Sequence, residues 1–263
     1  MVEVIETRPG QAEAMELGNA MAIASGKGGV GKTWLAITLC HALARIGQKV
    51  LLFDGDLGLA NVDIQLGLAA ARDLGGVLAG RYGLGEAVFA YPEGGFDIIA
   101  GRSGSGSLAS LPADRLAGLT DDLAELAPPY DRVVLDLGAG IEHTVRQLAA
   151  RARSCLVITT DEPTSMTDAY AFIKLMLRQK PAADLRVVVN MADSEHEGER
   201  TYATLRKACK SFLKAVPPLA GIVRRDAKVK ETIRNQAPLL VRYPNSDAAV
   251  DLEALARRLV EMP

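Results

Sequence analysis

The sequence predicts a layered α/β fold, a mostly parallel central sheet of about seven or eight strands flanked by helices on both faces. Three observations lead there. Short apolar runs, many of them β-branched, alternate with segments of helical period along most of the chain. The runs are continuous rather than alternating, which signals strands buried on both faces, as parallel strands are. The 263 residues show no internal repeat and no linker, so they suit one domain with a sizeable core.

In chain order, residues 1–19 carry no clear period and are expected to form a mobile extension with one short helix over Pro9–Leu17. Residues 20–263 are expected to form the single domain. Its strands are read at Met21–Ser25, Val50–Phe53, Phe96–Ala100, Arg132–Leu137, Cys155–Thr160, Leu185–Asn190 and Leu219–Val223. Helical stretches separate most of them, at Lys32–Ile46, Asp114–Leu126, Ile141–Arg151, Thr164–Lys180 and Arg200–Lys214. Gly101–Ser107, rich in glycine and serine, reads as a loop at one strand end. The last helix gathers Leu252, Leu255, Ala256, Leu259 and Val260 on one face, with Glu253, Arg257 and Arg258 elsewhere. Such a face is expected to pack on the core, an interfacial anchor being the alternative. In a parallel sheet, ligands sit at the carboxyl ends of the strands, so the chemistry is sought where each run stops.

The first run ends in Gly26-Lys27-Gly28-Gly29-Val30-Gly31-Lys32-Thr33, which satisfies G-x-x-x-x-G-K-[ST], the phosphate-binding loop of P-loop NTPases. Glycines let the backbone wrap a polyphosphate closely, often with positive φ. The loop amides then donate inward, and the helix that follows adds the positive end of its dipole. A nucleotide polyphosphate with Mg²⁺ is the implied ligand: Lys32 reaches the β/γ-phosphates and the Thr33 hydroxyl helps hold the metal. Lys27 is a second lysine in the same loop. It cannot easily fold back onto its own loop's phosphates and is free to extend toward a facing subunit. Trp34, directly after the loop, is expected to pack under the sheet.

Other strand ends carry matching residues. The second run ends in Asp54-Gly55-Asp56, two carboxylates able to act on Mg²⁺ or on a water. Asn61 or Asp63 is placed to cap a following helix. The fourth run, Val133-Val134-Leu135-Asp136, puts a carboxylate at the end of a buried strand, where it would meet Mg²⁺, and Gly138 and Gly140 would let the next segment approach the γ-phosphate. Asn190 ends another run with a donor and an acceptor, a match for the edge of adenine. In Thr160–Tyr170, Thr164 or Ser165 is placed to cap a helix, with Asp168 near its first turn.

Composition narrows the setting. With 30 basic and 32 acidic residues the net charge is −2, so no overall field draws the chain to nucleic acid, and nucleic-acid binding is not expected. The basic face of Arg206, Lys207, Lys210 and Lys214 reads as solvated surface. Cys40, Cys155 and Cys209 lack metal-ligand spacing and read as buried thiols of a reducing compartment. No stretch approaches the length of a membrane span, and a cytoplasmic protein is expected.

The loop K-G-G-V-G-K-T resembles the deviant Walker A motif of the MinD/ParA ATPases, and the resemblance covers about residues 20–260. It implies an ATP-dependent homodimer in which Lys27 contacts the partner's nucleotide, Asp56 orients the attacking water, Asp136 serves the metal and Asn190 reads the adenine. Catalytic roles therefore fall to Lys27, Lys32 and Asp56, nucleotide contacts to Gly26–Thr33 and Asn190, and metal contacts to Thr33, Asp54 and Asp136. Asn61–Leu68, Gly101–Gly104 and Thr160–Tyr170 resemble the FlhG branch of that family. That branch implies a slow ATPase switch governing flagellar number or placement. Its partners would be the GTPase FlhF or flagellar switch components, with peripheral membrane contact as the doubtful case. Two stretches depart from the branch pattern: Gly10–Glu16 lacks the leading acid and final arginine of the partner-activating segment, and Val223-Arg224-Arg225-Asp226 stands where Ile-Pro-x-Asp is usual. The alternatives are a MinD- or ParA-type positioning ATPase for another cargo, and a P-loop enzyme acting on a second small substrate.

Overall fold

In the computed structural model, which describes residues 17–56, 58–101 and 111–261, the chain alternates strand and helix from its first described residue. The order is β1 (Leu17–Ser25), α1 (Lys32–Arg45), β2 (Val50–Gly55), α2 (Val62–Leu66), α3 (Leu74–Leu78), β3 (Val88–Tyr91), β4 (Phe96–Ile99), α4 (Ala113–Leu126), β5 (Arg132–Ala139) and α5 (His143–Arg151). It continues with β6 (Ala152–Thr159), α6 (Pro163–Gln179), β7 (Asp184–Ala192), α7 (Glu195–Leu213), β8 (Leu219–Arg224), α8 (Ala227–Arg234), α9 (Leu239–Arg242) and α10 (Asp247–Glu261). The eight strands form one sheet in the order β3-β4-β2-β5-β1-β6-β7-β8. Every pairing is parallel except the hairpin β3–β4. This matches the expected architecture.

Several boundaries shift by a few residues, α7 starting at Glu195 rather than Arg200 and β6 at Ala152 rather than Cys155, and two differences bear on the fold. β1 starts at Leu17, so Leu17–Asn19 belong to the sheet rather than to an extension. Leu17 is buried and pairs with Ala152, and the Asn19 amide donates to the carbonyls of Ala127 and Tyr130, so a polar residue ends up serving the core edge. Of the predicted helix Pro9–Leu17, Leu17 is strand and the rest lies outside the described residues, as do Gly10–Glu16 and residues 102–110. The second difference is β3. Its residues are largely part-exposed, so no continuous apolar run marks it, and it reverses direction through Gly95 at φ 69°.

The sheet has a core on each face. On one side α4, α5, α6 and α7 cover Phe53, Leu135 and Val157, and on the other α1, α9 and α10 cover Ile23, Leu52 and Val134. Trp34 is buried in the second layer, as expected. α10 packs there too, with Leu252, Leu255, Ala256 and Leu259 all buried. Polar contacts pin it: the Arg258 guanidinium donates to the Ala220 carbonyl and the Arg224 amide donates to Asp251, which also satisfies backbone on the outer edge of β8. Arg206, Lys207, Lys210 and Lys214 are exposed, and the three cysteines are buried free thiols. Among the described residues no helix is long and apolar enough to cross a membrane.

Because Leu252 is fully buried between α10 and the sheet, Leu252→Ala should cost about 2–5 kcal/mol in denaturant unfolding. A change near zero would mean that α10 is detached from the core in solution.

Candidate nucleotide-binding site

The loop between β1 and α1 is held from three strands. The Ser25 hydroxyl donates to the Lys27 carbonyl at 2.6 Å, and the Gly140 amide, just past β5, donates to the Ser25 carbonyl at 2.9 Å. From the end of β7, the Asn190 amide nitrogen donates to the Val30 carbonyl at 2.8 Å while almost fully buried. The glycines have separate reasons. Gly29 and Gly31 take φ of 80° and 86°, where a side chain is strained. Gly26 is required by proximity, since a β-carbon there would lie 2.2 Å from the Asp168 carbonyl oxygen of α6. At Gly31 both reasons act, because a β-carbon would also meet the Asn190 amide nitrogen at 2.6 Å. α1 begins at Lys32 with Gly31 as its N-cap and no side-chain cap, so its first amides stay available to an anion.

The carboxylates arrive by strand register. β2 and β5 pair in parallel with Asp54 opposite Asp136, both fully buried. Asp54 accepts from the amides of Asp56 at 3.3 Å and Val62 at 3.2 Å, so its oxygens hold the segment leaving β2. Both oxygens of Asp136 are buried, and among the described residues neither has a hydrogen-bond partner within bonding geometry. Burial raises the pKa of each above the usual carboxylate range, and their mutual repulsion adds to it at Asp54, while the nearby Thr33 hydroxyl and Lys32 ammonium pull Asp136 back down. Lys32 is itself buried, which lowers its pKa, and Asp136 and Asp56 partly restore it. An orphaned carboxylate beside a threonine hydroxyl is a donor set that Mg²⁺ accepts, so Asp136 and Thr33 fit the metal. Asp54 is the buried acid behind them.

Asp56 is part-exposed. It accepts from the Leu59 amide at 3.0 Å and the Gly58 amide at 3.3 Å, and a β-carbon at Gly138 would lie 3.3 Å from its Oδ1. The glycine predicted to let a segment approach therefore makes room for Asp56. The expected caps do not form. Asn61 stands at the N-cap of α2 but accepts from the Gln65 side chain, and Asp63 accepts from the neighbouring Ile64 amide. At α6, Ser165 accepts from the Thr160 amide at 3.0 Å and no side chain caps the helix.

Lys27 is placed differently from the sequence expectation. Its ammonium pairs with the Glu162 carboxylate and donates to the Thr164 hydroxyl at 2.9 Å, both of its own chain. Glu162, Thr164 and Ser25 were not among the expected site residues. The only sequence signal for the first two was their place in Thr160–Tyr170, a stretch marked by likeness alone.

Loop, buried carboxylates and lysine together define a P-loop ATPase that takes ATP with Mg²⁺. The chain belongs to the CobQ/CobB/MinD/ParA nucleotide-binding family, whose model matches residues 21–239. It is 37% identical to the antiactivator FleN of Pseudomonas aeruginosa, over 92% of this chain and 86% of that one. It is 32% identical to the flagellum site-determining protein YlxH of Helicobacter pylori, over 91% of this chain and 81% of that one. The septum site-determining protein MinD of Pyrococcus horikoshii, solved with Mg-ADP, shares the fold with a TM-score of 0.77 at 23% identity, covering 92% of this chain and 96% of that one.

The buried acids imply a pH dependence. Asp54 is raised to about 8 and Asp136 to about 7, against 3.8 for an ordinary aspartate. Above about pH 4 the native state thus keeps protons that the unfolded chain has released, and stability falls as pH rises toward 8. With EDTA present, Tm should drop between pH 6 and pH 8.5. Asp136→Asn should raise Tm, flatten that slope and abolish the Mg²⁺ dependence of nucleotide binding. A wild-type profile with no slope would show that the pair is ionised at no cost.

Proposed function

We propose that this chain is an ATP-driven dimerising switch that sets flagellar number or placement. The flagellum site-determining role named for the YlxH relative supports the cellular setting. The observation that carries the switch is the two-lysine loop: Lys32 is buried in its own site, whereas Lys27 stands on the rim with about a third of its side chain exposed. One cation serves the subunit's own phosphates and the other is available to a second copy.

Loop amides from Gly26 to Thr33 bind and orient the ATP phosphates, with Lys32 adding charge where it is least screened. Bound Mg²⁺ neutralises phosphate charge, and Asp136 and Thr33 are the side chains that would hold it. Asp56, part-exposed above Gly138, orients the attacking water and accepts its hydrogen bond. Asn190, whose amide donates to the Val30 carbonyl beside the loop, is the residue proposed to read the adenine. Hydrolysis removes the charge that Lys27 of the partner copy would contact, and the dimer returns to monomers. The GTPase FlhF or flagellar switch components are the proposed protein partners, with the inner face of the cell membrane as a site of peripheral contact.

With ATP and Mg²⁺, Asp56→Ala should lose hydrolysis on the order of a hundredfold and elute as a persistent dimer in size-exclusion chromatography. Lys27→Ala should bind ATP yet stay monomeric. Dimerisation of Lys27→Ala at the wild-type level would remove the basis of the switch.

A further inference from the structure

The segment Thr160–Tyr170 lies outside the residues assigned to the nucleotide, yet it meets the phosphate loop at two points. Gly26 lies so close to the Asp168 carbonyl that no β-carbon fits between them. One residue on, the Lys27 ammonium reaches Glu162 and Thr164 at the first turn of α6. Neither side chain has a local structural duty, because the helix carries no side-chain cap and Ser165 alone closes the strand-to-helix turn through the Thr160 amide. The turn itself is rigid. Pro163 occupies the first helical position, Thr159 and Ser165 hydroxyls lie 3.2 Å apart, and Ala169, Phe172 and Ile173 anchor α6 in the core. Glu162 and Thr164 are therefore presented to Lys27 by a fixed element.

We propose that Glu162 and Thr164 are positioning residues that hold Lys27 within its own subunit, so that the Thr160–Tyr170 segment sets the threshold at which a second copy is engaged. The proposal rests on the dimerising reading above. One ammonium cannot stay on its own Glu162 and also reach phosphates across an interface. Both components of the pair are partly solvent-exposed, and exposed ion pairs are weak and screened by salt. The contact therefore acts as a threshold rather than a lock, and phosphates carrying several charges displace it when two nucleotide faces meet. Lys27 draws the Glu162 carboxyl below its ordinary range, with Arg225 adding to this, so Glu162 keeps a cationic neighbour once Lys27 leaves.

Two measurements on the full chain test this. In the nucleotide-free protein, acetylation of Lys27 by an N-hydroxysuccinimide ester, followed by mass spectrometry, should speed up several-fold in Glu162→Gln and again on adding Thr164→Val. With ATP and Mg²⁺, Glu162→Gln should tighten the dimer dissociation constant by about tenfold, because two such contacts break per dimer and each is worth a few-fold. High salt should narrow the difference from wild type. Unchanged labelling would overturn the pairing itself. Faster labelling with an unchanged or weaker dimer would overturn the threshold and place Glu162 in the dimer contact instead. A wild-type chain that stays monomeric with ATP would sink the switch reading and the threshold together, while faster labelling would still uphold the pairing.

Discussion

Everything at the carboxyl edge of this sheet follows from one register: β2 and β5 align so that Asp54 and Asp136 lie opposite each other, buried, with one lysine close by. Two buried carboxylates on adjacent strands repel, and desolvation disfavours the charge on each. The fold relieves them unequally. Asp54 accepts the amides of Asp56 and Val62, whereas among the described residues Asp136 has no backbone donor and only the Thr33 hydroxyl and Lys32 ammonium nearby. A divalent cation is the simplest group that satisfies such an acid, and the Thr33 hydroxyl at the start of α1 completes the invitation. Because Asp54 also ties down the segment carrying Asp56, the buried acid and the part-exposed one belong to one mechanical unit.

The same economy governs the loop glycines. Gly29 is set by its backbone angle, Gly26 by the approach of α6, and Gly31 by its angle together with Asn190. The loop is thus shaped on one side by α6 and on the other by β7, so its geometry reports on elements more than a hundred residues away. A motif that reads as local in sequence is held in place by the whole sheet.

That difference explains what the sequence disclosed. The phosphate loop, Asp54, Asp136 and Asn190 were legible because each follows an apolar run whose end marks the carboxyl edge, and burial of the run is a local property. Packing of α10 was legible for the same reason: its apolar face is a pattern within one helix. β3 was not legible, since an edge strand with part-exposed residues has no continuous run to betray it. Leu17–Asn19 were missed because residues 1–19 carry no clear period, yet Asn19 satisfies two carbonyls at the core edge. Least visible was the partner of Lys27. Glu162 is 135 positions away, and Thr164 and Ser165 resemble helix caps so closely that the capping explanation left nothing to seek.

The charges of the site divide into two kinds, and the division is what makes reversal feasible. Asp54, Asp136 and Lys32 are buried on strands and on the first turn of α1, where interactions are strong and rearrangement would disturb the core. Lys27, Glu162 and Asp56 sit on a loop rim, a helix start and a strand exit, where water competes and side chains exchange partners at little cost. A switch needs the first set to bind ligand against a fixed background and the second set to change partners when the ligand changes. Had Lys27 been paired with a buried acid, releasing it would leave that acid uncompensated in the core, and ATP would have to supply that energy before any dimer could form. Placing the pair at the surface keeps the decision close to balance, within reach of the small difference between three phosphates and two.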